Sequence, residues 1–312
     1  MSSTDLAWID WIKKEEKARL AIVWPKGFPF LKGEEDLFSG RSGIVVKYHK
    51  TIRITYKGLI ALMTQVYEGS PWLGTTENGF AGAKAKATEC WDKNGTIDLW
   101  LVEENTPKEL TECKNELREK LHTEKSALHS TDSREETLHM ARLLFNDNTV
   151  HMLVNGNPLK SSSLFHKIQS FRSLLKEGDE EHYVLASSTV MGLYALREIG
   201  DTDYLSDAEE RVKGKDIDDN EKYLKLYPAD KESLLYDDGN YLWFWGIKFI
   251  TLDVLKAFKQ KRANNPKDKK DIRLIETVYH PGLSAALFRA GEHLYYLYRT
   301  FRHKVKVLLL GK

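Results

Sequence analysis

The amino-acid sequence predicts an α+β protein built from two successive layers of strands and helices. Segments with apolar residues at every second position alternate along the chain with segments that have the spacing of an amphipathic helix. A hydrophobic fraction of 41% over 312 residues is enough to give both layers a core. We expect a small α/β domain, with a ferredoxin-like arrangement as one alternative, followed by a mixed sheet with C-terminal helices.

Composition shifts divide the chain into four predicted segments. Residues 1–42 begin with an amphipathic stretch and continue through the Gly- and Pro-rich stretch WPKGFPFLKGEEDLFSGRSG, which predicts irregular structure, so we treat them as an N-terminal extension. Residues 43–160 form the small α/β domain and residues 161–280 the second domain. Residues 281–312 form an aromatic and basic C-terminal helix.

Periodicity predicts the elements of the first domain in order. Strands are predicted for IVVKYHKTIRITY, TIDLWLVEE and TVHMLVNG. Helices are predicted for GLIALMTQVYEG, GFAGAKAKATECW, PKELTECKNELREKL and REETLHMARLLFN. Pro107 suits the first turn of the third of these helices.

The second domain begins with the predicted helix SLFHKIQSFRSLL. A strand in HYVLASS, a helix in TVMGLYALREIG and a strand in DTDYLS follow it. YLWFWGIKFI predicts one buried strand, and TLDVLKAFKQKR and DIRLIETVY predict two helices.

Charge and cysteine content narrow the class of protein. The 47 basic and 46 acidic residues nearly cancel, which gives no clear signature of a nucleic-acid-binding protein. Cys90 and Cys113 are expected to be reduced thiols, because no secretion signal precedes them. No apolar run reaches the roughly 18 residues that a transmembrane helix needs. We therefore expect a cytoplasmic protein.

Asp201 and Asp203 form an Asp-x-Asp pair in DTDYLS. Side chains two residues apart on a strand point to the same face, so both carboxylates can reach one site. Nucleotidyl transfer needs divalent metal ions on carboxylates, because these ions stabilise both the attacking hydroxyl and the leaving pyrophosphate. We predict that Asp201 and Asp203 are catalytic and bind Mg²⁺ or Mn²⁺.

A turn of small residues precedes this pair. Ser187 and Ser188 follow a predicted strand and open a predicted helix, where free backbone N–H groups attract phosphate. The turn and the Asp pair together resemble the active-site signature of polymerase-β-type nucleotidyltransferases. In that signature a hydrophobic residue is followed by Gly, then by Gly or Ser, and after a short spacer by Asp-x-Asp. Thirteen residues separate Ser187 from Asp201, and twelve separate Ser188 from it.

A second stretch, GIKFITLDVLKAFKQKRANNPKDKKDIRLIE, resembles a downstream segment of the minimal and antitoxin-system nucleotidyltransferases. The matching positions are Lys259, Arg262, Asp268 and Asp271. The resemblance implies that Lys259 and Arg262 bind phosphate and that Asp271 pairs with a basic residue. It also implies a third catalytic carboxylate, for which we select Asp238, beside Asp237, with Asp218 as a poorer candidate.

Three functions remain open at this point. The first is transfer of a nucleotidyl group from an NTP to an unknown hydroxyl or phosphate acceptor. The second is an Asp-x-Asp glycosyltransferase that uses a nucleotide sugar, and the third is a non-catalytic nucleotide-binding or interaction protein. A helix between the small turn and the Asp pair is required in nucleotidyltransferases and not in glycosyltransferases, so it distinguishes the first two.

The segment around HSTDS resembles the active-site region of nucleoside diphosphate kinases, in which a phosphate-binding Arg precedes a His-Gly-Ser-Asp-Ser loop. Arg118 and His129 take those positions and are therefore candidate phosphate-binding residues. The alternative interpretation of this segment is the start of a helix, with Asp132 or Ser133 as the N-cap and glutamates in the first turn.

The C-terminal segment combines aromatic and basic residues at helical spacing. Residues 289–312 carry six Lys and Arg but one Glu, a composition that suits a helix lying on an anionic membrane surface through residues 287–312. The tail resembles the ends of cytoplasmic enzymes of bacterial capsule and envelope polysaccharide assembly. The alternative is a helix packed on the domain with a basic outer face.

Overall fold

The structure is a computed structural model that describes residues 3–310 except 32–36, 39, 123, 162, 177, 263 and 264. Its helices and strands confirm the α+β class. The first part contains α1 (Ser3–Lys14), β1 (Ala18–Val23), α2 (Phe28–Leu31), β2 (Ile44–Arg53), α3 (Tyr56–Val66), α4 (Ala81–Cys90), β3 (Thr96–Glu104), α5 (Glu109–Leu121), β4 (Leu128–Ser130), α6 (Arg134–Leu144) and α7 (Asp147–Asn155).

The second part contains more parallel strand pairing and ends in three helices. Its elements are α8 (Leu164–Arg172), β5 (Tyr183–Ala186), α9 (Ser188–Leu193), β6 (Thr202–Ser206), β7 (Ile217–Asp219), α10 (Lys231–Tyr236), β8 (Tyr241–Phe244), β9 (Ile247–Ile250), α11 (Leu252–Lys261), α12 (Pro266–Tyr279) and α13 (Leu283–Leu310). Within the part of the chain that the structure describes, none of the helices combines the length and the hydropathy of a transmembrane span.

The first sheet has the strand order β2-β3-β1-β4, and all of its neighbouring strands are antiparallel. β1 lies inside this sheet between β3 and β4 and is buried at five of its six positions. The interpretation of residues 1–42 as an extension is therefore wrong for β1, whose short apolar run is hard to recognise between charged residues. Residues 1, 2, 32–36 and 39 of that segment lie outside the described residues.

TVHMLVNG was predicted as a strand and is instead the helix α7. The side chain of Asn146 caps this helix by accepting a hydrogen bond of 2.8 Å from the backbone N–H of Thr149. α7 packs closely on α3 because Gly58 has no side chain, and a Cβ there would lie 1.9 Å from the carbonyl oxygen of Leu153. Tertiary packing thus overrides the strand preference of the β-branched residues.

The second sheet is mixed and has the order β7-β6-β5-β9-β8. β5 is antiparallel to β6 and parallel to β9, and β6 is parallel to β7. YLWFWGIKFI, predicted as one strand, is the hairpin β8–β9. Trp245 and Gly246 form its turn with φ values of 49° and 67°, the left-handed pair of a two-residue hairpin.

One hydrophobic cluster connects the two sheets. It includes Leu20 of β1 and Val184 of β5, both fully buried. Polar contacts join the same layers, since the N–H of Trp243 in β8 donates to the Thr149 hydroxyl of α7 at 2.9 Å. The second sheet is therefore held on one side by the helices of the first part, and its β6–β7 edge carries the acidic residues described next.

Candidate functional site

The turn between β5 and α9 has an unusual backbone. Ser187 adopts φ 55° and ψ −127°, a conformation that glycine tolerates much better than serine. Ser188 opens α9, and its hydroxyl donates to the carbonyl oxygen of Asp201 at 3.3 Å. The turn can be aligned with the signature so that either thirteen or twelve residues separate it from Asp201. The backbone of Ser187 favours the second alignment, in which Ser187 takes the place of the glycine and Ser188 the place of the next Gly or Ser.

The Asp-x-Asp pair lies beside this turn. Asp201 is exposed and directly precedes β6, whereas Asp203 is half-buried within the strand. Thr202 between them is 2% exposed, so the alternation predicted for a strand is observed. The pair is therefore at the surface and accessible to a ligand.

β7 supplies a third carboxylate. In the parallel pairing of β6 with β7, Asp203 and Asp218 are partners in the register. Burial raises the pKa of Asp203, and the charges of Asp201 and Asp218 raise it further, while a hydrogen bond from Ser187 and the charge of Arg262 act in the opposite direction. Three carboxylates thus repel one another at one edge of the sheet.

Asp238, selected as the third carboxylate from the sequence, is not part of this cluster, and that prediction is wrong. Asp238 precedes β8, which is separated from β6 by β5 and β9, or roughly 14 Å of strand spacing. It is 6% exposed and lines a small cavity with Asp5 and Arg142. Burial, followed by the charge of Asp237, raises its pKa. The sequence could not show which acidic residue pairs with β6.

Lys259 lies in a buried ion network and not at a phosphate-accessible surface. Its ammonium contacts Asp268 at 2.9 Å and Asp271 at 2.8 Å, and its side chain is 2% exposed. The network continues outward at both ends, because Arg262 pairs with Asp268 and Arg197 pairs with Asp271, each at 2.8 Å. The predicted pairing of Asp271 is confirmed, and the predicted phosphate contact of Lys259 does not fit its burial.

Arg262 is the predicted phosphate-binding residue that remains near the acidic cluster. Its side chain is 29% exposed and pairs with Asp268. Its hydrogen bond to Asp268 is the main cause of its raised pKa, and Asp203 also contributes. Arg262 therefore stands between the buried network and the Asp-x-Asp pair.

The carboxylates of Asp201, Asp203 and Asp218 are the groups that could bind a metal ion at this site. No family model, curated protein or solved structure matches this chain. Among the described residues, no group of three or more His, Cys, Asp and Glu side chains is placed to hold a metal ion. Carboxylate oxygens are nevertheless the ligands that Mg²⁺ prefers. Burial is the main cause of the raised pKa of Asp203, and the charges of Asp201 and Asp218, which add to it, are charges that a cation would neutralise. The donor type therefore fits a magnesium ion.

The HSTDS segment is explained by capping. The Ser133 hydroxyl accepts a hydrogen bond of 3.1 Å from the N–H of Glu136, and the Glu136 carboxylate accepts one of 2.7 Å from the N–H of Asp132. The guanidinium of Arg118 donates to the carbonyl oxygen of Leu128 at 2.7 Å, and the imidazole of His129 lies 3.4 Å from Glu136. Arg118 and His129 are thus both engaged with other groups of the protein. The hydrogen bond at Ser133 confirms this residue as the N-cap of α6.

Proposed function

We propose that the protein transfers a nucleotidyl group from an NTP to a hydroxyl or phosphate acceptor, with Mg²⁺ held by Asp201, Asp203 and Asp218. The observation that carries this proposal is the convergence of the three carboxylates beside the strained turn at Ser187. The second sheet would then be a nucleotidyltransferase-type sheet. Strained backbone and clustered like charges are both typical of functional sites, because folding alone does not favour them.

Each residue of the cluster has a defined task in this proposal. Bound divalent metal would neutralise the triphosphate and lower the pKa of the acceptor hydroxyl. Asp201, Asp203 and Asp218 would supply its oxygen ligands by turning their side chains toward it, because as they stand they do not form a metal-binding group among the described residues. The glycine-like backbone of Ser187 lets the chain pass close to the phosphates, and the partly exposed guanidinium of Arg262 adds positive charge near Asp203.

Two structural features favour nucleotidyl transfer over the alternatives. α9 lies between the small turn and the Asp pair, as nucleotidyltransferases require and nucleotide-sugar glycosyltransferases do not. The register of β6 and β7 places a third carboxylate, Asp218, beside Asp203, and three carboxylates at one site favour a catalytic over a non-catalytic protein.

Calorimetric titration of NTPs in the presence of Mg²⁺ tests the site. Binding should weaken at least about tenfold in Asp203→Asn and be lost in Asp201→Asn/Asp203→Asn, because these carboxylates would hold the divalent metal that neutralises the triphosphate. Glu209→Gln removes the same charge from an exposed loop position after β6 and serves as the control. Equal binding by the double variant and the control would disprove the metal site. Incubation with labelled ATP, CTP, UTP and nucleotide sugars then identifies the donor.

α13 supports a second part of the proposal, peripheral association with an anionic membrane on the cytoplasmic side. Six apolar residues recur at helical spacing along it and are 49–78% exposed: Leu283, Leu287, Leu294, Leu297, Tyr298 and Phe301. We call them the outer stripe. The exposed basic residues Arg302, Lys304 and Lys306 accompany it, which is the composition of an interfacial helix. Residues 311 and 312 lie outside the described residues.

Vesicle co-sedimentation tests this association. Phosphatidylserine-containing vesicles should bind the protein, and pure phosphatidylcholine vesicles should bind much less. Leu294→Glu/Phe301→Glu should abolish the binding, since it places charge within the apolar face. No difference between the two vesicle types, together with a dimer in solution that this double variant dissociates, would instead assign the outer stripe to a second copy of the chain.

A further inference from the structure

A large groove opens on the side of α13 opposite its outer stripe. Its volume is about 1420 Å³, and α12, α13, the residues after α9 and the loop after α7 form its walls. None of the outer-stripe residues lines it. The groove is large enough for several nucleotides or a short peptide. The charges and side chains that line it indicate which of these ligands it fits.

The groove is strongly basic. Of the described residues that line it, seven are Lys or Arg and three are Asp or Glu. Two of the three carboxylates are neutralised by ion pairs, Asp271 with Arg197 and Glu292 with Lys270. Five of the basic side chains form no ion pair within the described part of the chain: Lys57, Lys160, Lys267, Arg289 and Arg299. Uncompensated cations in a concave site select a polyanion.

Aromatic rings stand among these cations. Tyr295 and Tyr296 of α13 line the groove and are 56% and 44% exposed. The ammonium of Lys270 lies 5.0 Å from the ring centre of Tyr295. A cationic groove with exposed rings is the usual way in which proteins bind single-stranded nucleic acid, since phosphates contact the cations and bases stack on the rings. An acidic peptide would use the cations but not the rings.

The groove also contains a polar group without a partner. Ser161 lines it and is 4% exposed, and its hydroxyl makes no hydrogen bond to any described residue. Unpaired buried hydroxyls are costly, so native structures rarely keep them. A ligand with many hydrogen-bonding groups, such as a nucleotide strand, would satisfy it.

Some residues of the groove are close in sequence to the acidic cluster of Asp201, Asp203 and Asp218. Arg197 and Glu198 line it, and Asp201 follows after two further residues. The six-residue helix α9, about 9 Å long, leads from Ser188, which contacts Asp201, to Tyr194 in the groove wall. A strand in the groove would therefore place one end near the three aspartates.

We infer that this groove binds a single-stranded nucleic acid, and that the strand is the acceptor of the reaction. The acceptor role rests on the proposed nucleotidyl transfer, whereas the binding does not. The charge balance of the whole chain conceals this surface, because its basic residues come from five separate segments.

Fluorescence anisotropy with a labelled 12-nucleotide single strand, without NTP or metal, tests the binding. Lys160→Gln/Lys267→Gln should weaken it about tenfold and reduce the magnitude of the slope of log K against log salt by about 1.4, because two phosphate contacts are lost. Tyr296→Ala should weaken it by a similar factor without changing the slope. Lys93→Gln/Lys120→Gln removes two exposed charges away from the groove and should bind like the unmodified protein.

The competing outcomes are distinct. Equal affinity of the groove variant and its control would overturn the proposal, and so would a poly-glutamate peptide that competes as well as the oligonucleotide. RNA and DNA strands of one sequence are compared to identify the sugar. Asp201→Asn/Asp203→Asn should keep strand binding while losing NTP binding, so failure of the groove and failure of the catalytic site are separable.

Discussion

Replacement of Lys259 by Met tests whether the buried ion network stabilises the fold. The side chains are similar in length, so the change removes the ammonium without opening a large cavity. Removing one partner of a buried ion pair costs about 3–5 kcal/mol. Asp268 keeps Arg262 and Asp271 keeps Arg197 in the variant, so we expect the lower end, about 3 kcal/mol.

Urea denaturation followed by circular dichroism measures this loss. A cost of about 3 kcal/mol should lower the midpoint by about 1 M urea. The matched control is Lys256→Met on the same helix, whose partly exposed pair with Glu276 at 2.7 Å should contribute less than about 1 kcal/mol. Calorimetric NTP binding is measured on the same samples.

Two results would refute the reasoning. Equal midpoints for Lys259→Met and Lys256→Met would show that the network does not stabilise the fold. An unchanged midpoint combined with NTP binding weakened more than about tenfold would show that Lys259 contacts phosphate, as the sequence resemblance implies. We expect instead that Lys259→Met lowers the urea midpoint and that the folded variant still binds NTP.

Three further variants have calculable effects. Asp203→Asn should stabilise the protein at neutral pH, because the pKa of Asp203 is raised in the folded state. This gain in stability should vanish as the pH falls through the raised pKa toward the ordinary Asp value of about 3.9. Melting curves recorded at a series of pH values would show the loss. Ser187→Gly should raise the free energy of unfolding by about 1 kcal/mol by relieving the backbone, whereas Ser187→Ala should not, and urea curves compare the two. Ser133→Ala should cost about 1 kcal/mol in the same assay through loss of the N-cap, and no loss would contradict the capping explanation.

The sequence predicted the α+β class and many of the helices and strands, because those segments carry their own periodicity. β2, β3 and the helices α3 to α6 occur where that pattern places them. α7 was mistaken because β-branched residues in a short apolar run do not distinguish helix from strand. The β8–β9 hairpin was missed because Trp245-Gly246 lacks the Asn-Gly or Asp-Gly signal of such turns.

The candidate site was predictable only as far as it is local in sequence. Ser187, Asp201 and Asp203 lie within one β-turn-α-β unit, so one motif contains them all. Asp218 joins them through strand pairing, and no local pattern distinguishes it from Asp238. The burial of Lys259 depends likewise on how α11 packs against α12, which only the tertiary structure shows.

The chain of ions from Arg197 to Arg262 sets a distance as well as contributing stability. Asp268 and Asp271 connect α12 to Lys259 of α11, to Arg262 just after α11 and to Arg197 beyond α9. α12 also forms one wall of the groove. A rotation of α12 away from the acidic cluster would separate buried charges, which is costly. The distance between the groove and the three aspartates is therefore fixed. In the proposed reaction, this distance limits how far the reacting end of an acceptor can lie from the segment bound in the groove.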